Sequence, residues 1–366
     1  MLHHAQRQGR KNRSGTSVEH MRRINFSRGL RFSFALVMVG LLAPRCAVAK
    51  DANKPAAQSV AGITQADFHG WAAFVMRTAS AQVVVVPEIG RVMKFDLIDS
   101  KGEVIAGPVW NNPSLSKDLA PDVEGWRNLG GDKAWPAPQS EWPKIIGRGW
   151  PPPAGFDATA FSANIKGHAL ELVSPVDAIY GVRVRRTISL DSNKPVLRIR
   201  TAYEKVQGST MRMAVWTITQ LDSPERAFIL LPEHSVFENG YVNLFPDPPT
   251  DVKVEGRLLS LTRRLDKSAE VGTDGDAILW VGKSVSLLLE TNAPPVKNKA
   301  DWADQGSRTE IYTSPGDHST YVELEFHNPL RQLNAGNTYS MEGVYTLLPR
   351  TEADPTAEAK KIFKLR

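Results

Sequence analysis

Cysteine is almost absent: Cys46 is the only one among 366 residues. An internal disulfide is therefore excluded, as is a metal site built on several thiolates. No Walker sequence, dinucleotide fingerprint, GxSxG elbow or HExxH helix occurs, which removes the common nucleotide, hydrolase and zinc-protease signatures. Histidines are sparse beyond the N-terminal region: His69, His168, His234, His318 and His327. None has close metal-ligand spacing with another, and nothing in the sequence specifies calcium or any other metal or cofactor. Long apolar runs are missing as well. The longest, Phe32 to Leu42, falls short of the ~20 residues that a membrane-spanning helix needs.

That short run carries a different message. Arg22, Arg23, Arg28 and Arg31 precede it, and Ala47-Val48-Ala49 closes it ahead of Lys50. Basic, apolar and small-residue regions in that order form a secretory signal, so residues 1–49 are expected to be a leader cleaved after Ala49. Met21 is the expected true start. Arg22-Arg23 has only part of a twin-arginine motif, and Ala43-Pro44-Arg45 before Cys46 lacks the small apolar residues of a lipoprotein site. The expected location is periplasmic or secreted, without stable membrane insertion after cleavage.

Cleavage changes the charge. The leader holds nine of the 45 Arg and Lys residues and one of the 39 acidic residues, leaving 36 basic against 38 acidic. A net −2 offers no overall basic field for nucleic acid, so no nucleic-acid partner is expected. The sole cysteine departs with the leader.

The body reads as strands. Val182, Val184, Ile188 and Leu190 alternate with Arg183, Arg185, Thr187 and Ser189, and Val196–Tyr203 continues the pattern beyond the turn-forming Asp191–Pro195. The two segments read as an antiparallel hairpin. Further strands are expected at 82–86, 91–97, 168–173, 211–219, 227–231, 252–262, 277–281, 285–289, 309–312, 320–326 and 340–348. Only Thr64–Met76 carries a helical pattern, with an irregular strand as the alternative. The fold class is all-β, a sandwich or barrel. The expected organisation is the leader 1–49, a tether 50–64, one β domain 65–349 and a charged tail 350–366, either loose or a short surface helix.

Residues 107–157 differ. They hold Trp110, Trp126, Trp135, Trp142 and Trp150, six prolines after Lys133, and the Gly130-Gly131 pair. Such a segment reads as a long ordered loop, and such loops tend to be functional. Its composition suits a sugar, whose C–H faces rest on aromatic rings while its hydroxyls bond to charged and amide groups. Trp126, Trp135, Trp142 and Trp150 supply rings, which could equally pin the loop to the sheet. Arg127, Asn128, Asp132, Lys133, Gln139 and Glu141 supply polar groups. Arg91 adds a planar donor fork, unless it is spent on Glu88 or Asp96. Near the C-terminus, Tyr321, Glu323 and Glu325 share one strand face, with the carboxylates about 6.5–7 Å apart at the backbone. One could act as base and the other as orienter, or both could decorate a solvated face. His318 and His327 flank that strand.

EIGRVMKFDL (88–97), NLGGDKAWPAPQSEWP (128–143), GWPPPAGFD (149–157), GVRVRRTISLDSNKPVLRIRTAYEKV (181–206) and LNAGNTYSMEGVYTLLP (333–349) together resemble the galactose mutarotase-like, or aldose 1-epimerase-like, superfamily. The likeness covers residues 65 to 349, and its tryptophan-rich part is similar to bacterial exported members of uncharacterised function. The resemblance implies one large antiparallel β-supersandwich with a sugar-accommodating face and Arg91 near the substrate. It also implies a glutamate base, for which Glu323 and Glu325 are the local candidates, and a histidine acid. The stretch expected to hold that histidine, AVWTITQLDSP (214–224), has none; His318 or His234 would have to replace it. Two functions follow: a carbohydrate- or glycan-binding protein, and a carbohydrate-active enzyme of the aldose 1-epimerase type.

Overall fold

Alternating β-branched and polar residues fold as strands throughout the computed structural model, which describes residues 62–157, 159–247, 249, 251–316 and 320–365. The leader, most of the tether and His318 lie outside the described residues. The chain first lays down six strands of one sheet: β1 (Ile63–Phe68), β2 (Trp71–Arg77), β3 (Ala81–Val86), β4 (Arg91–Ile98), β5 (Val104–Ala106) and β6 (Asp132–Ala137). Four strands of a second sheet follow, β7 (Ser162–Lys166), β8 (Ala169–Val176), β9 (Val182–Leu190) and β10 (Val196–Lys205). β11 (Met211–Asp222) returns to the first sheet and β12 (Arg226–Leu230) to the second. Thereafter β13 (Val242–Asn243), β16 (Ala269–Thr273), β19 (Thr309–Thr313), β20 (Tyr321–His327) and β21 (Arg331–Leu333) join the first sheet. β14 (Lys253–Glu255), β15 (Leu258–Leu261), β17 (Ala277–Val281), β18 (Val285–Thr291) and β22 (Thr338–Pro349) join the second.

The first sheet has 12 strands, with the central order β4-β6-β11-β20-β19-β16. The second has 10, with β22 between β18 and β10. Pairing is antiparallel throughout both. The main apolar cluster joins Val83, Val85 and Val92 of the first sheet to Leu170, Ile188 and Ile199 of the second. A smaller one, including Trp71, Val86, Met93, Leu115 and Leu129, fills the space between the first sheet and the 107–131 segment.

The expected hairpin is β9 with β10, and Asp191 closes its turn by accepting from the backbone N–H groups of Asn193 and Lys194. Thr64–Met76 is not a helix but the β1–β2 hairpin. Its turn, His69-Gly70, has both φ angles positive (51° and 86°), the geometry that two-residue hairpins require. Val252–Thr262 breaks at Gly256 into β14 and β15. The 107–157 segment is not loop throughout, because β6 crosses it as a fully buried strand. Pro136 is tolerated there because β4 accompanies β6 for one residue pair only, Val92 with Asp132, so the proline half runs as an edge on that side. Gly130 and Gly131, at φ 89° and 77°, kink the chain into β6, and a Cβ on Gly131 would lie 2.7 Å from the Val92 carbonyl oxygen.

The charged tail forms α1 (Pro355–Ile362), capped by the Asp354 carboxylate on the Ala357 N–H. Its Ala359 packs with Phe228, Leu258, Leu279 and Val281 on the second sheet. Among the described residues no helix is long and apolar enough to cross a membrane.

Candidate functional site

Strand alternation decides which side chains leave the core. On β20, Val322 and Leu324 point between the sheets, which turns Tyr321, Glu323, Glu325 and His327 to the outer face of the first sheet. Cross-strand register places Gln220 opposite Glu323, Ile218 opposite Glu325 and Trp216 opposite His327. One strand further, Lys133 lies opposite Ile218 and Trp135 opposite Trp216. On the other side Glu310 faces Glu325 and Tyr312 faces Glu323. One sheet face thus gathers a cation, three carboxyl groups, amides and indoles.

Asp132 and Lys133 are chain neighbours and therefore take opposite faces. The Asp132 carboxylate points inward and is consumed by the core. Arg186 of the second sheet donates to its Oδ1, while Thr219 and Tyr345 each donate to Oδ2 at 2.7 Å. Burial holds the Tyr345 phenol well above its ordinary value, so it stays a donor. Lys133 points outward, 1% exposed, and its Nζ donates to Glu323 Oε1 at 2.9 Å while lying 4.8 Å above the Trp135 ring. Burial lowers the Lys133 ammonium, and the Glu323 carboxylate opposes that shift.

Arg91 is bound to neither Glu88 nor Asp96. Its Nη1 donates to the Gly130 carbonyl at 2.7 Å and its Nη2 to Asp157 Oδ1 at 2.5 Å. Asp157 also accepts from the indole N–H groups of Trp126 and Trp135, each at 2.9 Å. This carboxylate therefore ties β4, β6 and the far end of the tryptophan segment together. Glu88 pairs instead with Lys117.

The indoles form a cluster around Trp135. Trp126, Trp142, Trp150 and Trp216 approach it edge to face, with ring centroids 5.4–6.1 Å away. Each such contact adds about 0.5–1.5 kcal/mol beyond area burial. Trp142 is fully buried, and its indole donates to the Pro136 carbonyl, so it anchors the segment. Trp126 and Trp150 stay half-buried. Asn128, also half-buried, accepts from Gln220 at 3.0 Å. Gln139 donates to the Gly149 carbonyl, and Glu141 makes a surface pair with Lys144.

The second acid of β20 sits deeper. Glu325 is 2% exposed and accepts from the Trp216 indole at 2.5 Å. Burial, then the Glu270, Glu323 and Glu310 carboxylates, push it well above the usual carboxylate range. Oxygens of Glu270, Glu310 and Glu325 lie within 4.8 Å of one another. His327 stacks on Trp216 with centroids 5.4 Å apart. Its Nε2 is 3.2 Å from Glu310 Oε2 and 3.7 Å from Asp304 Oδ2, and burial lowers the imidazole to about 4.

Sequence reasoning overlooked Asp157, Glu270, Asp304 and Glu310. A signal existed for Glu310, a lone acid between β-branched residues in TEIYT (309–313). None existed for Asp157, whose arginine is 66 residues away.

No protein-family model matches the chain, and the comparison with curated proteins finds no match. Among solved structures, a candidate mutarotase from Salmonella typhimurium is 10% identical, with a TM-score of 0.52, covering 81% of this chain and 96% of that one. A galactose mutarotase-like protein from Lactobacillus casei is 10% identical with a TM-score of 0.50, covering 75% of this chain and 100% of its own. A TPR-domain containing protein from Parabacteroides distasonis is 11% identical at 0.52, covering 78% of this chain and 48% of its own. Two large antiparallel sheets, with these structures matched over 75–81% of the chain, give it a galactose mutarotase-like β-sandwich fold.

Proposed function

We propose that the chain is an exported carbohydrate-binding protein whose ligand lies on the outer face of the first sheet, over Glu323. The observation that carries this reading is the Glu323 side chain. It is 12% exposed, held by the buried Lys133, and lies opposite Gln220, which donates to Asn128, on a face where Lys133 also covers the Trp135 ring. A carboxyl acceptor beside an ammonium, an amide and an indole suits a hydroxyl-rich ring with an apolar face. Arg91, Asp132, Trp135 and Trp142 hold the framework in this reading: both Arg91 Nη groups, the Asp132 carboxylate and the two indole N–H groups are already bonded inside the protein. Gln139 and Glu141 lie at the margin, where a longer glycan would reach them. Screening the purified protein on a glycan array, followed by titration, is expected to find at least one sugar. Glu323→Gln should weaken that sugar about 10–100-fold, the loss of one charge-assisted hydrogen bond. An array without any signal would defeat the proposal.

A second reading, anomer exchange, draws support from the contrast between the two acids. Glu323 sits beside an ammonium, whereas burial and neighbouring carboxylates push Glu325 on the same face well above the usual range, and carboxyl groups in opposed environments are suited to base and acid roles. NMR of hexose anomers separates the two readings. Exchange lost in both Glu323→Gln and Glu325→Gln supports catalysis, and exchange that survives both removes it.

Export rests on residues 22–49. N-terminal sequencing of the protein recovered outside the cytoplasm is expected to begin at Lys50, and an intact leader on that fraction would overturn the cleavage site.

A further inference from the structure

We propose that Asp304, Glu310 and His327 form a binding site for one divalent transition-metal ion of the zinc class. This goes beyond carbohydrate binding and does not depend on it. Three observations converge on the site.

The first is an imidazole without partners. His327 is 0% exposed, yet neither ring nitrogen has a hydrogen-bond partner, and Glu310 Oε1 beside it has none either. Buried polar atoms are nearly always satisfied, and each exception calls for an explanation. Leaving two imidazole nitrogens unsatisfied in one ring is costly, whereas a cation at Nε2 removes half of that deficit.

The second is spacing. Two ligand atoms bound tetrahedrally to zinc at about 2.0–2.1 Å stand about 3.3–3.4 Å apart. His327 Nε2 lies 3.2 Å from Glu310 Oε2 and 3.7 Å from Asp304 Oδ2, and all three ligand atoms fall within 4.8 Å of one another. One imidazole with two carboxylates suits zinc and its neighbours, whereas calcium and magnesium favour oxygen alone. The fourth position is open to water or to a group on the sheet face.

The third is access. Asp304, 26% exposed at its side chain, also lines a surface pocket of about 600 Å³ with Glu141, Arg212, Trp302 and Gln305. Asp304 thus puts one carboxylate of the set on the solvent side of the buried pair. The backbone of Asp304 and Gln305 runs at positive φ (44° and 62°), and the Ser307 hydroxyl donates to the Asp304 carbonyl, which fixes the turn that aims this carboxylate.

Tag-free protein purified from the full chain, stripped with chelator and dialysed against zinc chloride, is expected to retain one zinc per chain by elemental analysis. Zinc should also raise its thermal midpoint. Asp304→Asn, whose side chain is partly exposed and whose fold is checked by circular dichroism, should weaken zinc at least about tenfold. His327→Gln should abolish the stoichiometric ion. If that variant does not fold, Asp304→Asn alone decides. Zinc uptake that is absent in the wild type, or equal in the wild type and Asp304→Asn, overturns the site. Binding of calcium but not zinc overturns the ligand set.

Discussion

Arg186→Ala is expected to lower the unfolding free energy by about 3–5 kcal/mol, the cost of stripping one partner from a buried ion pair. Arg186 stands on β9 of the second sheet, 1% exposed at its side chain. Its Nη1 donates to the carbonyls of Gly90 and Asp132, both at 3.0 Å, and its Nη2 to the Asp132 carboxylate. Alanine would leave that carboxylate, 2% exposed, with only the Thr219 and Tyr345 hydroxyls. It would also leave two strand-end carbonyls short of a donor. The loss is a large share of the roughly 5–15 kcal/mol that holds a typical protein folded. Urea denaturation measures it, with an unchanged slope showing that the native state stays compact. Combining Arg186→Met with Asp132→Asn should cost less than the two single changes summed, since the pair is in direct contact. A loss below about 1 kcal/mol for Arg186→Ala would mean that water satisfies the inter-sheet carboxylate.

Asp157→Ala is expected to be comparably damaging, by about 3–5 kcal/mol, and to loosen the tryptophan segment. One carboxylate serves three donors there: the Arg91 guanidinium and the indoles of Trp126 and Trp135. Burial already opposes the Arg91 cation and Asp157 offsets it, so alanine leaves a buried charge with one carbonyl acceptor. Trp126 then loses its indole hydrogen bond, and the tryptophan segment loses that tie to the groups around β6. Tryptophan emission should shift to the red as these rings meet water. Any sugar bound at Glu323 should weaken by at least about tenfold, because a site is only as good as the groups that position it. Unchanged emission together with unchanged stability would show that the segment is held by ring packing alone.

The two substitutions mark where sequence reasoning ends. Period-two patterns identified most strands, and on β20 they put Glu323 and Glu325 on one face correctly. The same rule, applied to Asp132-Lys133, would have separated residues that composition had grouped together. β6 went unseen because Pro136 interrupts it, Pro138 follows it, and its residues alternate without a polar face. His69-Gly70 was missed as a turn because neither residue alone is a strong signal, although together they supply two positive φ angles. Contacts set by cross-strand register were out of reach. Glu310 meets Glu325 only because β19 and β20 pair in that frame, and Asp157 meets Arg91 only after four intervening elements have folded.

The central place of β22 has a temporal consequence. In the second sheet, β14, β15, β12, β17 and β18 meet β10, β9, β8 and β7 only through this 12-residue strand. Among the described residues it is also the last strand in the sequence. A chain emerging N-terminus first from a ribosome or a translocation channel therefore holds two unjoined half-sheets until residue 349 is free. Joining the two half-sheets is thus a long-range pairing, the kind of step that topology makes slow.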